Sequence, residues 1–153
     1  MKLTSPVFAD KIPLPLQYTC KGVNVSPPLE FIDVPKDTAS LVLIVQDIDS
    51  PTQRVHWLVY NISSSVTHFD EGETPEEAVI GICHKDTIGY DGPCPATFKG
   101  IHRFSFRLYA LDTTLQVPGV ANCEIVLEEI KGHIIEHAEL LAVIQGELVE
   151  DPA

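Results

Sequence analysis

Basic residues are scarce in this chain of 153 residues: 10 lysines and arginines stand against 22 aspartates and glutamates, a formal net charge of −12. Such a field repels nucleic acid and anionic lipid surfaces, so no nucleic acid partner is expected and any anion site has to be a local exception. Long apolar runs are missing too. Charge or proline interrupts every stretch before the roughly 18 to 20 residues that a bilayer-spanning helix requires, so no integral membrane segment is expected. Met1 to Leu16 mixes short apolar pieces with Lys2, Asp10, Lys11 and three prolines, unlike the continuous apolar core of a secretion signal. The expected location is cytoplasmic. Closely paired cysteines are also absent: Cys20, Cys83, Cys94 and Cys123 include no pair two to four residues apart, which argues against a four-cysteine zinc site. In a reducing cytoplasm they read as free thiols. What remains is a chain with 44% hydrophobic residues, long enough to bury one core without covalent staples.

The clearest pattern is β. Ser40 to Asp47 reads SLVLIVQD, a continuous run suited to a strand buried on both faces. Arg54 to Ile62 reads RVHWLVYNI, a second strand between Pro51 and the serines from Ser63 to Ser65. In HRFSFRLYAL, His102 to Leu111, period two places His102, Phe104, Phe106, Leu108 and Ala110 on one face and Arg103, Ser105, Arg107 and Tyr109 on the other. Weaker strands are expected around Leu3 to Phe8 and Leu29 to Val34. Leu127, Ile130, Ile134, Ala138 and Leu141 recur at helical spacing behind Asn122, a fitting N-cap, with Glu124, Glu128 and Glu129 suited to the positive end of a helix. Together these predict a mainly β sandwich with one amphipathic helix near the carboxyl end. Polar stretches from Ser63 to Ala78 and from His84 to Gly100 read as loops, the second containing the Gly- and Pro-rich GYDGPCPATFKG.

Strand ends that meet such loops commonly form pockets. Asp47 and Asp49, two apart, would point to one side in β geometry, His56 follows on the next strand, and His102 opens the later one. Converging, the imidazoles would donate to a phosphate or carboxylate while the aspartates fix their tautomers or favour their charged form. The plainer alternative is that the aspartates cap a turn and the histidines are satisfied core groups. Arg103, turned away from His102 by period two, reads as a salt-bridge partner behind the pocket.

Several separate segments resemble, in order, the phosphatidylethanolamine-binding family, particularly its bacterial and archaeal, Raf kinase inhibitor-like branch. CKGVNVSPPLEF, Cys20 to Phe31, is similar to the family's D-G-x-N-x-S-P-P-L segment, and DIDSP, Asp47 to Pro51, to its D-P-D-A-P signature. HWLVYNI continues the likeness. GYDGPCPATFKGIHRFSFRLYALD, Gly89 to Asp112, resembles the G-x-G-P-x-P and G-x-H-R-Y block, and KGHIIEHAEL, Lys131 to Leu140, the family's carboxyl-terminal helix. The resemblance implies a single domain over residues 1–153, an antiparallel β sandwich with a C-terminal α-helix, and a pocket for phosphate-like anions such as the phosphoethanolamine headgroup. Carried over by position, its ligand-binding residues are Asp47, Asp49, Pro51, His56, Gly92, Pro93, His102 and Phe104, with no catalytic residue, metal or cofactor, so a binding protein rather than an enzyme is expected. It also implies a regulatory role, with kinases or serine proteases as targets of inhibition through surface loops, and is compatible with a homodimer. The family's habit at its signature turn makes Ser50 to Pro51 a candidate cis bond. Lys21, Ile48, Ser50, Ala96 and Phe104 depart from the family pattern. Phe104, in place of a tyrosine, removes one hydroxyl donor, an effect of about 1 kcal/mol on anion affinity.

Two metal readings compete. HIIEH, His133 to His137, satisfies the H-x-x-E-H pattern of inverted zinc peptidases, provided that a helix brings both histidines to one face. Asp47, His56 and His102 would form a mixed carboxylate and imidazole site. A thiol nucleophile at Cys83 beside His84 is disfavoured, since adjacent residues on an extended chain point apart. Cys94, near the proposed pocket, is the better candidate for an oxidisable thiol.

Overall fold

The computed structural model describes residues 1–149, apart from the side chain of Lys85. In chain order the strands are β1 (Lys2–Thr4), β2 (Ile12–Pro13), β3 (Leu29–Ile32), β4 (Ser40–Asp47), β5 (Val55–Ser63), β6 (His68–Phe69), β7 (Val79–Ile80), β8 (Ile101–Leu111) and β9 (Ile134–Gln145), with helix α1 (Cys123–Glu129) before β9. They form a three-stranded antiparallel sheet, β1-β3-β6, and a six-stranded sheet, β2-β9-β8-β4-β5-β7, in which β2 alone runs parallel to its neighbour. The mainly β architecture is the one expected.

β4 occupies the middle of the large sheet because both of its faces are apolar. Leu41, Leu43 and Val45 join Leu3, Phe31, Phe69, Trp57, Phe104 and Phe106 in the core between the sheets. Val42 and Ile44 join Leu58, Tyr60, Leu111, Val126 and Ile130 on the outer face, beneath α1. β8 alternates as its period requires, with Phe104, Phe106, Leu108 and Ala110 turned to the inner core.

The carboxyl-terminal region corrects the expected helix. Asn122 does cap α1, its Oδ1 accepting from the Ile125 N–H at 3.0 Å. The helix nevertheless ends at Glu129, and Gly132 with φ +80° then turns the chain, a conformation that glycine adopts without a Cβ penalty. Ile134, Ala138 and Leu141 therefore lie on β9. The physical reason is a competing period: Leu140, Ala142 and Ile144 are buried in the inner core with Ala138 packed against it, and β9 pairs with β8 along almost its whole length. Continuous pairing with β8, joined by β2 at Ala142 and Val143, outweighs the interrupted helical stripe.

The cysteine expectation is corrected as well. Cys20 and Cys94, 74 residues apart, form a disulfide with Cα atoms 5.2 Å from each other, while Cys83 and Cys123 are free and buried. Their distance along the chain hid the pair; the fold brings the 16–24 segment against the 90–95 loop. The cytoplasmic argument for four free thiols fails with it, since disulfides persist mainly in oxidising surroundings. Among the described residues, no helix is long and apolar enough to cross a membrane.

Candidate functional site

β4 ends at Asp47, β5 begins at Val55 and β8 begins at Ile101, all at the same end of these neighbouring strands of the large sheet. On the inner face, β4 and β8 keep strict alternation, which places Asp47 beside His102 and Phe104. β5 does not. Val45 pairs with Trp57 but Gln46 pairs with Val55, so His56 is the extra residue of a bulge. Continued alternation would send His56 outward with Leu58 and Tyr60. The bulge instead turns its ring inward, edge-on to Phe104 with centroids 5.2 Å apart, an example of a bulge re-aiming a side chain beside a site.

A cavity of about 220 Å³ opens here, lined by Asp47, Ser50, Pro51, Arg54, His56 and Asp91, with Gly92, Cys94, Phe98, His102 and Phe104 also contributing. Both histidines are held by Nδ1. His102 Nδ1 lies 2.7 Å from Asp47 Oδ2, and Phe98 stacks on the ring with centroids 3.9 Å apart. His56 Nδ1 lies 2.6 Å from the Asp91 carbonyl oxygen, while the Asp91 N–H donates back to the His56 carbonyl at 2.9 Å. Burial holds the His56 pKa below its ordinary value. The Asp91 carbonyl and the charges of Asp91 and Asp47 oppose that shift, and Arg54 reinforces it. Arg54 lines the cavity, and no carboxylate among the described residues is within ion-pair distance of it.

The turn after β4 differs from expectation. Asp47 Oδ1 accepts the N–H groups of Asp49 at 3.0 Å and Ser50 at 3.1 Å, and Ser50 Oγ accepts the Arg54 N–H at 2.9 Å. The chain therefore leaves β geometry at Asp47, and Asp49 does not share its side. Asp49 instead grips Arg103 by two guanidinium contacts of 2.8 and 2.9 Å and by the backbone N–H. The Arg103 hydrogen bonds hold the Asp49 carboxyl below the usual carboxylate range. Arg103 thus occupies the supporting position that its strand parity indicates. The Ser50 to Pro51 bond is trans, as are all peptide bonds among the described residues. With its N–H groups already gathered by Asp47, this turn closes using the lower-energy isomer.

The loop wall depends on Gly92. A Cβ there would strike the Tyr18 carbonyl oxygen and Asn24 Oδ1. Only a glycine lets the loop lie against residues 18–24, where Asn24 Oδ1 accepts the Gly92 N–H and the Pro93 carbonyl accepts from Cys20 N–H. Pro93 is buried behind the wall.

The match to a family model now decides the relationship: the model for phosphatidylethanolamine-binding protein matches residues 4–145. The chain belongs to this family. A UPF0098 protein of Chlamydia trachomatis is 43% identical over 151 residues, covering 95% of this chain and 99% of its own. One from Methanothermobacter thermautotrophicus is 41% identical over 149 residues, covering 94% and 97%. Among solved structures, the phosphatidylethanolamine-binding protein homologue CT736 of C. trachomatis superposes with a TM-score of 0.87 at 41% identity, covering 95% of this chain and 97% of its own. E. coli YbcL gives 0.86 at 27% identity, covering 95% and 98%. Family membership supports a phospholipid- or anion-binding regulatory protein in general terms.

Of the residues expected at the site, the fold brings Asp47, Pro51, His56, Gly92, His102 and Phe104 to the cavity and leaves Asp49 and Pro93 behind its walls. Sequence reasoning missed Arg54, Asp91 and Phe98. Arg54 was accessible to it, being two residues before His56 at the mouth of a strand; Asp91 and Phe98 lie on an irregular loop whose path no period reveals. HIIEH is not helical, since His133 precedes β9 and bonds Asp112 Oδ1 at 2.8 Å while His137 is on the strand. The one-face helical geometry required by the zinc peptidase reading is therefore missing. Among the described residues, no cluster of three or more His, Cys, Asp or Glu has metal-holding geometry, and Asp47 Oδ2 is engaged with His102.

Proposed function

We propose that this chain acts as one domain and as a non-enzymatic receptor for a small phosphate-like anion of the phosphoethanolamine-headgroup type, with a regulatory consequence of occupancy. The observation that carries the reading is the convergence of Arg54 with two imidazoles, each fixed through Nδ1, on one cavity of about 220 Å³. This is a local exception to the acidic whole. Arg54 supplies a fixed positive charge, His102 lines the cavity with its ring fixed by the Asp47 carboxylate, and Phe98 and Phe104 add an apolar wall. Calorimetric titration with phosphate and phosphoethanolamine tests the reading. His102→Ala, with folding checked by circular dichroism, should weaken binding by about 1 to 3 kcal/mol; unchanged affinity in a folded variant refutes the assignment.

A second reading, control of a kinase or serine protease through surface loops, is favoured by Ile88, 63% exposed in the loop region before the pocket wall. It predicts that a protein partner's affinity shifts when phosphate saturates the pocket. Equal affinities with and without phosphate would remove the coupling.

A further inference from the structure

One covalent bond ties the pocket wall to the segment behind it. Segments 16–24 and 90–98 both lie outside the two sheets, and Cys20 and Cys94 join them. The 90–98 loop touches both histidines, through the Asp91 carbonyl on His56 Nδ1 near its start and the Phe98 ring on His102 at its end. Its end is anchored independently, because the Pro95 and Phe98 carbonyls accept the N–H groups of Glu147 at 2.8 Å and Leu148 at 3.1 Å. Its start leans on segment 18–24. Tyr90 Oη donates to the Tyr18 carbonyl at 2.6 Å, Gly92 N–H to Asn24 Oδ1 at 2.8 Å, and Cys20 N–H to the Pro93 carbonyl at 3.0 Å. With the disulfide open, these three hydrogen bonds hold the two segments together, each contributing about 1 kcal/mol net.

The bond is also within reach. Cys20 is exposed, whereas Cys94 is half-buried and lines the pocket. A second cavity of about 350 Å³ is lined by Thr19 and Lys21, which flank Cys20, and by Pro95, which follows Cys94. A small thiol therefore finds room beside the bond and meets it at Cys20. We infer that Cys20 is a site of thiol exchange and that the Cys20–Cys94 bond is a reversible latch, which a small dithiol opens to release residues 90–94 and weaken the pocket's hold on its anion. This regulation rests on the anion-binding reading above and goes beyond it. In the opening step, a thiolate of the reductant bonds to Cys20 Sγ and the S–S bond breaks. Its electron pair leaves with Cys94 Sγ, which takes up a proton. The second thiol of the reductant then displaces Cys20, so the reductant becomes a cyclic disulfide and the protein gains two thiols. Oxidised glutathione, itself reduced to two thiols, reverses the change.

The test compares the oxidised protein, the protein reduced with the uncharged dithiol dithiothreitol, and the protein reoxidised with glutathione disulfide, with circular dichroism confirming the fold of each. Mass-mapped alkylation should find Cys20 and Cys94 newly labelled after reduction, with the buried Cys83 and Cys123 still protected. Amide exchange over residues 90–94 should quicken on reduction while β8 stays unchanged. Calorimetric phosphate affinity should fall about fivefold, the worth of one well-placed hydrogen bond, and return on reoxidation. Cys20→Ser, folded and without reductant, should match the reduced wild type in both exchange and affinity. A bond that resists dithiothreitol in the folded protein, or exchange unaltered by its opening, overturns the latch. Quickened exchange with equal phosphate affinities, or Cys20→Ser binding as tightly as the oxidised wild type, overturns the regulation and leaves the anion pocket standing. Failure of phosphate to bind the oxidised protein overturns the anion reading and its regulation together, and the exchange result then decides the latch alone.

Discussion

His56 is 6% exposed at the start of β5, and burial depresses its pKa from 6.5. Unfolded, the same side chain titrates near its ordinary value. Between the depressed folded pKa and 6.5, the unfolded chain binds more protons, so stability rises with pH across that window and falls as pH drops through it. The contribution of this one group reaches about 1.4 kcal/mol per pH unit. Urea unfolding of the wild type and His56→Gln between pH 7.5 and 5.5 should show the wild type losing stability more steeply on acidification; parallel curves would assign the acid sensitivity elsewhere. Asp47 illustrates a different residue-scale economy, since one carboxylate closes the turn through Oδ1 and orients His102 through Oδ2.

Among the elements, α1 and the bulge in β5 make separable contributions. α1 packs on the outer face of the large sheet through Val126, with Ile130 just beyond it, whereas the pocket lies at the inner edge. Its N-cap is a single side-chain bond from the Ile125 N–H to Asn122. Asn122→Ala should therefore cost about 1 kcal/mol of stability in chemical denaturation and leave phosphate affinity unchanged. A variant that loses both would show that the outer layer sets the pocket geometry. The bulge acts in the opposite sense: it adds little to the core, but it decides which way His56 faces.

For the whole molecule, the Cys20–Cys94 disulfide joins the amino-terminal segment to the loop that walls the pocket. Cys83 and Cys123 are buried, and burial pushes both thiols up to about 11, so both are poorly reactive as well as shielded. Thiol counting should find little labelling of the native protein, two reactive thiols after denaturation without reductant, and four after denaturation with reduction. Four thiols in the unreduced, denatured protein would remove the disulfide.

The strongest strands were legible because hydrophobic period and β-branched content act locally: Ser40 to Asp47 is β4 residue for residue, and the two faces of β8 follow from its alternation. The resemblance likewise found the segments that assemble the pocket. Tertiary structure alone decided the rest, for three physical reasons. Ladder pairing with β8 took Ile134 to Gln145 from helix into strand. One extra residue in β5 inverted the facing of His56, which depends on register with β4 rather than on local sequence. Contact between segments 74 residues apart joined Cys20 to Cys94, a pairing that depends on how the chain folds back and not on the spacing of its cysteines.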